Sequence, residues 1–177
     1  MSKNSFKVLR PGINTTFQDL GRDNLYHVGL PFSGAIDKRN FLIANSLVTN
    51  REDDAALEFA YQGPLLEFSG SKTSIVITGN VNFKIIKKDT SEIKGECYRT
   101  YDLNNKDCLD IISTEKSVYG YLSVKGGFQL DKFCNSYSTT VRAEVGPNDG
   151  KKIEIGQTII LNTTDSTIKK SLEYSNS

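Results

Sequence analysis

A chain of 177 residues suits one compact domain. Its 37% hydrophobic content, with 8 Tyr and 9 Phe, excludes a disordered chain, and a formal net charge of +1 gives no ground for a nucleic-acid or anionic-membrane partner. No apolar run reaches the length of a membrane-spanning helix, and residues 1–10 lack the apolar centre of a secretory signal, so a cytoplasmic protein is expected.

Short apolar or alternating runs separated by turn residues dominate the chain. Residues 6–9 read as a first strand, closed by Pro11-Gly12. Asp37 is a good N-cap, and Phe41, Ala44 and Val48 recur at spacings of three and four, which predicts a helix from Asp37 to Val48 with Asn50 as its terminator. Strands are predicted at residues 56–60 and 65–68, on either side of the Gly63-Pro64 turn. The run Ser74-Ile75-Val76-Ile77-Thr78 reads as a buried strand stopped by Gly79-Asn80. Further strands are predicted at residues 83–87, 109–112, 118–124, 153–156 and 158–161. One helix among many strands predicts a mainly β fold, a barrel rather than a layered α/β sheet, because parallel units need a helix after nearly every strand. The ordered domain is expected to span residues 1–161, with a polar tail at 162–177.

Several chemistries fall away on residue types. His27 is the only histidine, and Cys97, Cys108 and Cys134 form no close pair, so no metal site is expected and the cysteines read as small buried hydrophobes. Gly70-Ser71-Lys72-Thr73 lacks the glycine spacing of a phosphate loop and reads as a polar turn. No residue is assigned a catalytic role.

The informative stretch runs from Leu9 to Glu58. Gln18, Asp19 and Arg22 place an amide, a carboxylate and a guanidinium in one turn, and Ser33-Gly34-Ala35 stands just ahead of the helix capped by Asp37. Backbone N–H groups at such a helix start can hold a carboxylate or phosphate. The same residues can equally fix turns and caps, with Arg22 paired to Asp19 or Asp23 at the surface, and the residues themselves leave both readings open. On the pocket reading, Arg22 and the Ser33 loop line one shared anion site.

The strings TTFQDLGR, GLPFSGAID, AN, ALEF and GPLLEF resemble the opening of the allophanate hydrolase subunit 2 family, to which the C subunit of 5-oxoprolinase belongs. The resemblance continues in order through Ile77-Thr78-Gly79, through residues 120–128 and Ser136-Tyr137-Ser138-Thr139, to residues 150–158. It departs at Asn80, Tyr119, Tyr137, Lys151 and Gln157, and the tyrosines stand where arginine is usual. A phenol does not replace a guanidinium fork.

The resemblance implies a cyclophilin-like β-barrel that is incomplete relative to the family, whose members continue into a second half. It implies one component of a 5-oxoprolinase, which works with a partner resembling allophanate hydrolase subunit 1 and uses ATP to open 5-oxoproline to glutamate. Gln18, Asp19, Arg22, Ser33, Gly34, Ala35 and Glu58 are then the candidate substrate-binding residues. The alternatives are a biotin-dependent carboxyltransferase module, whose biotin carrier would be another chain, and a non-catalytic regulatory binding protein.

Overall fold

The computed structural model describes residues 3–162 and Lys170. The sequence-predicted tail lies outside these residues, apart from Asn162 and Lys170.

Among the described residues, eleven strands and one α-helix follow in chain order. They are β1 (Ser5–Arg10), β2 (Thr16–Gln18), α1 (Lys38–Leu47), β3 (Ala56–Ala60), β4 (Leu65–Ser69), β5 (Lys72–Thr78), β6 (Val81–Ile86), β7 (Glu92–Lys94), β8 (Thr100–Asn104), β9 (Cys108–Thr114), β10 (Tyr119–Val124) and β11 (Thr158–Ile160). Short 3-10 turns lie at Tyr26–Val28, Val141–Ala143 and Asn148–Gly150.

The strands form two antiparallel sheets rather than a closed barrel. One is six-stranded in the order β11-β1-β4-β9-β6-β7, the other five-stranded in the order β2-β3-β10-β5-β8. Phe6, Phe68, Leu57, Phe59, Ile75, Ile77 and Leu122 belong to one apolar core shared by the two sheets. The alternate residues of the five-stranded sheet, Ala56, Val76 and Tyr121, pack with Phe41, Ala44 and Leu47 of α1. Both faces of that sheet are therefore covered, which is why β3 is buried at every position although its chemistry alternates.

The mainly β class and the single principal helix agree with the sequence. Asp37 is the N-cap of α1, its Oδ1 accepting from Asn40 N–H at 3.1 Å, and Val48 is the C-cap. Asn45 and Asn50 tie the helix to the sheet. Buried Asn45 donates to Asp54 O at 2.7 Å and accepts from Ser123 Oγ at 2.9 Å. Asn50 bridges Val124 O and Gly126 N–H, each at 2.8 Å.

Two sequence expectations are corrected. Residues 153–156 are not a strand: Ile153 is buried, but the chain turns at Ile155-Gly156 and leaves Ile155 73% exposed. Nor are the cysteines uniformly interior, for Cys97 and Cys108 are half-buried and Cys134 is exposed in the left-handed region at φ 48°. Among the described residues, no group of three His, Cys, Asp or Glu is placed to hold a metal, and no helix is long and apolar enough to cross a membrane.

Candidate functional site

The turn after β2 and the turn before α1 lie against each other. Arg22 N–H donates to Phe32 O at 2.8 Å, and Ala35 N–H donates to Asp19 O at 2.9 Å. The approach needs glycine on both sides. Gly21 and Gly34 have φ of 94° and 92°, and a Cβ on Gly34 would meet Gly21 N at 2.9 Å.

A third segment, residues 136–140, closes on the pair. Asp19 is its anchor. Asp19 Oδ1 accepts from Ser136 Oγ at 2.7 Å, Ser138 Oγ at 2.6 Å and Gly21 N–H at 2.8 Å, while Oδ2 accepts from Tyr137 N–H at 2.6 Å. A carboxylate that is 3% exposed is thus satisfied by four donors. Arg22 is equally interior, at 2% exposure. One Nη donates to Thr140 Oγ1 at 2.8 Å and the other to Ser138 O, while Nε, also buried, has no partner. The guanidinium lies 5.6 Å from the Phe133 ring centroid. Burial pulls its pKa down, partly offset by the charge of Asp19.

The guanidinium hydrogen bonds of Arg22 therefore go to the 136–140 segment, not to a surface carboxylate. Ser33 Oγ lies 2.5 Å from the same Thr140 Oγ1 that Arg22 contacts. Arg22 and Ser33 are brought together through a third residue, Thr140. Gln18 sits beneath them in β2. Its Nε2 donates to Thr16 Oγ1 and Thr139 O, both at 2.9 Å, and its buried Oε1 has no partner.

Glu58 forms an adjoining cluster on β3. Its Oε2 accepts from Tyr121 OH at 2.6 Å and from Ile36 N–H at 2.9 Å, and Tyr121 OH accepts from Asp37 N–H at 2.8 Å. Tyr121 is directly opposite Glu58 in the β3–β10 register, which fixes the pair. Burial raises the Glu58 pKa above the usual carboxylate range against the two hydrogen bonds, and burial, reinforced by Glu58, raises that of Tyr121. The backbone amides of Ala35, Ile36 and Asp37 thus all have protein acceptors. His27 is exposed in the 3-10 turn between Arg22 and Ser33.

Cavities of about 600 and 530 Å³ lie elsewhere. The first runs along α1 beside Leu42 and Ser46, and the second sits between Ile13, Val141 and Lys151. None of Gln18, Asp19, Arg22, Ser33, Gly34, Ala35 or Glu58 lines either one. The residues that sequence reasoning does not select as site members are Ser136, Ser138, Thr140 and Tyr121. The alternation of hydroxyls across Ser136, Ser138 and Thr140 is the available signal.

The family model for the carboxyltransferase domain, subdomain A and B, matches residues 28–176. The chain is 32% identical over 141 residues to the C subunit of 5-oxoprolinase from Haemophilus influenzae, a match covering 80% of this chain and 44% of that protein. It is 29% identical over 158 residues to urea amidolyase of Saccharomyces cerevisiae, covering 89% of this chain and 8% of that one. The crystal structure of the Kluyveromyces lactis urea amidolyase superposes with a TM-score of 0.84 at 28% identity, over 97% of this chain and 10% of the other. The chain spans less than half the length of these curated relatives. The matching model and the shared fold place the chain in the carboxyltransferase subdomain A and B family, with the 5-oxoprolinase C subunit and urea amidolyase among its relatives.

Proposed function

We propose that this chain is a non-autonomous component of an ATP-dependent 5-oxoprolinase-type complex, opening 5-oxoproline to glutamate together with a partner resembling allophanate hydrolase subunit 1. The observation that carries this reading is the likeness to the C subunit of 5-oxoprolinase over 80% of the chain. The Gln18–Arg22 and Ser33–Ala35 turns carry the same resemblance in sequence.

A lactam is an unreactive amide, and its opening depends on positioned polar groups that stabilise charge on its oxygen. In this reading Ser33 and Thr140 face the substrate. Asp19 and Arg22 hold them from behind, through Ser138 and Thr140. Gln18 keeps an acceptor in reserve, and Glu58 with Tyr121 fixes the backbone at Ile36 and Asp37.

ATP fits poorly on this chain alone. Both Nη groups of Arg22 are engaged within the protein, and the amides of Gly70 and Ser71, in the turn that superficially resembles a phosphate loop, donate to Asn105 and Asn4. The nucleotide is therefore assigned to the partner protein, where it would make the lactam oxygen a leaving group. The test is to co-express the chain with a partner resembling allophanate hydrolase subunit 1 and follow glutamate release from 5-oxoproline with and without ATP. Turnover by the complex and none by the chain alone is expected. Robust turnover by the chain alone, or none by the complex, counts against the reading.

A second reading, a carboxyltransferase module served by biotin on another chain, is favoured by the superposition on urea amidolyase. Dependence of the complex on a biotinylated carrier, with no ATP-driven opening of 5-oxoproline, would select it.

A further inference from the structure

Residues 11–15, which lead into β2, the turn at 141–144 and the segment 150–154 enclose a cleft of about 530 Å³. Hydrogen bonds hold its parts together. Ile153 N–H donates to Thr15 O at 3.0 Å, and Thr140 N–H donates to Val145 O at 2.9 Å, which closes the turn that carries Val141 and Glu144. That turn rests on Gly150, where a Cβ would collide with the Glu144 backbone, so Glu144 stands beside Gly150-Lys151.

Three kinds of group line the cleft. Thr15 is 1% exposed, and its buried hydroxyl has no hydrogen-bond partner. Ile13 and Val141 supply apolar surface, at 49% and 38% exposure. Lys151, Lys152, Glu144 and Glu154 are all exposed, and none of these four charged groups is paired within the protein among the described residues. Two ammonium groups and two carboxylates thus line one cleft, yet do not neutralise each other. A simple anion would meet Glu144 and Glu154, and a simple cation would meet Lys151 and Lys152. A neutral apolar molecule would leave all four unmatched. A small molecule that carries both signs on a short apolar body matches the whole lining. A polar atom of that molecule also gives the orphaned Thr15 hydroxyl the partner that a buried polar group requires.

We propose that this cleft is a second ligand site, separate from the junction at Ser33 and Thr140, and that it takes a free α-amino acid with an apolar side chain. Lys151 and Lys152 receive its carboxylate, Glu144 and Glu154 its ammonium group, and Ile13 and Val141 its side chain. The proposal does not rest on the lactam chemistry, and binding is measured on the chain without turnover.

The test is a titration of the isotopically labelled full chain with L-leucine, followed by amide chemical shifts. Saturable shifts at Ile13, Val141 and Glu144 with a millimolar or tighter Kd are expected. N-acetyl-L-leucine lacks the ammonium group and L-leucinamide lacks the carboxylate, so each should bind about tenfold or more weakly, as loss of a charge-assisted contact implies. The double variant Lys151→Gln with Lys152→Gln, and separately Glu144→Gln, should weaken L-leucine binding to a similar degree. These side chains are exposed, so the melting temperature should be unchanged. Absence of saturable shifts in the cleft up to about 50 mM L-leucine, well above the millimolar range, overturns the proposal. So does equal binding of L-leucine, N-acetyl-L-leucine and L-leucinamide, or L-leucine binding that both variants leave intact.

Discussion

Asp19 and Ser138, 119 positions apart in the chain, are bonded twice: Asp19 N–H donates to Ser138 Oγ at 3.2 Å, and that hydroxyl donates back to Asp19 Oδ1 at 2.6 Å. This closed pair fixes the 136–140 segment over the turn after β2, and Thr140 is carried with it to Arg22 and Ser33.

Asp19→Ala leaves the Ser136 and Ser138 hydroxyls and the Tyr137 amide without their acceptor. Each abandoned buried donor costs about 1–3 kcal/mol, with partial relaxation, so a total loss of about 3 kcal/mol is expected from urea unfolding. Hydrogen exchange should rise at Tyr137. An effect of a few tenths of a kcal/mol would mean that the carboxylate is not the anchor of the segment.

Arg22→Ala is expected to lower stability as well as ligand binding, because the guanidinium is buried and joined to Ser138 and Thr140. A loss of about 2–3 kcal/mol follows from removing two charge-assisted bonds. Arg22→Lys should recover only part of it, since an ammonium cannot span both acceptors. Unchanged melting in Arg22→Ala, the behaviour of an exposed ion pair, would contradict this placement.

Glu58 gives a signed pH dependence. Its folded pKa is raised by burial, so the folded state binds the proton more tightly than the unfolded state. The contribution of this group is therefore most favourable below the ordinary glutamate value and is lost as pH rises through the folded pKa. Glu58→Gln keeps an acceptor for Tyr121 and Ile36 without the charge. It should equal or exceed the wild type in stability near neutral pH and flatten the stability profile just above the ordinary glutamate range. A wild-type profile that rises with pH across that window, and a Gln variant that is less stable at neutral pH, would refute the sign.

Gly34→Ala combines a left-handed φ with a Cβ 2.9 Å from Gly21 N. A loss of about 1–3 kcal/mol is expected from strain and overpacking. Gly29→Ala also meets a left-handed φ but open space, so it should cost clearly less. Equal losses at the two positions would mean that the contact between the two turns is not tight.

Helix α1 is legible in the sequence because Asp37 and the spacing of Phe41, Ala44 and Val48 are local signals. The limits of β3 are legible because Gly63-Pro64 follows so closely. Three strands carry no such signal. β2 has three residues, β7 is short and wholly exposed, and β8 reads Thr-Tyr-Asp-Leu-Asn without clean alternation. Ile153 and Ile155 imitate strand alternation, but Gly156 at φ 81° turns the chain between them and β11. At the site, Gln18, Asp19 and Arg22 are legible as a concentrated polar turn. Their actual partners, Ser136, Ser138, Thr139 and Thr140, lie more than a hundred positions away and are reached only through the tertiary fold.

The central claim is that the Arg22–Ser33–Thr140 junction is the part of this chain that meets the substrate. Amide chemical shifts of the isotopically labelled chain, in complex with a partner resembling allophanate hydrolase subunit 1 and titrated with 5-oxoproline, test it most directly. The expected result is saturable shifts centred on Ser33, Gly34 and Thr140 that disappear in Arg22→Ala. Shifts confined to the cleft beside Leu42 and Ser46, or a response at Ser33 and Thr140 that survives Arg22→Ala, would contradict the claim.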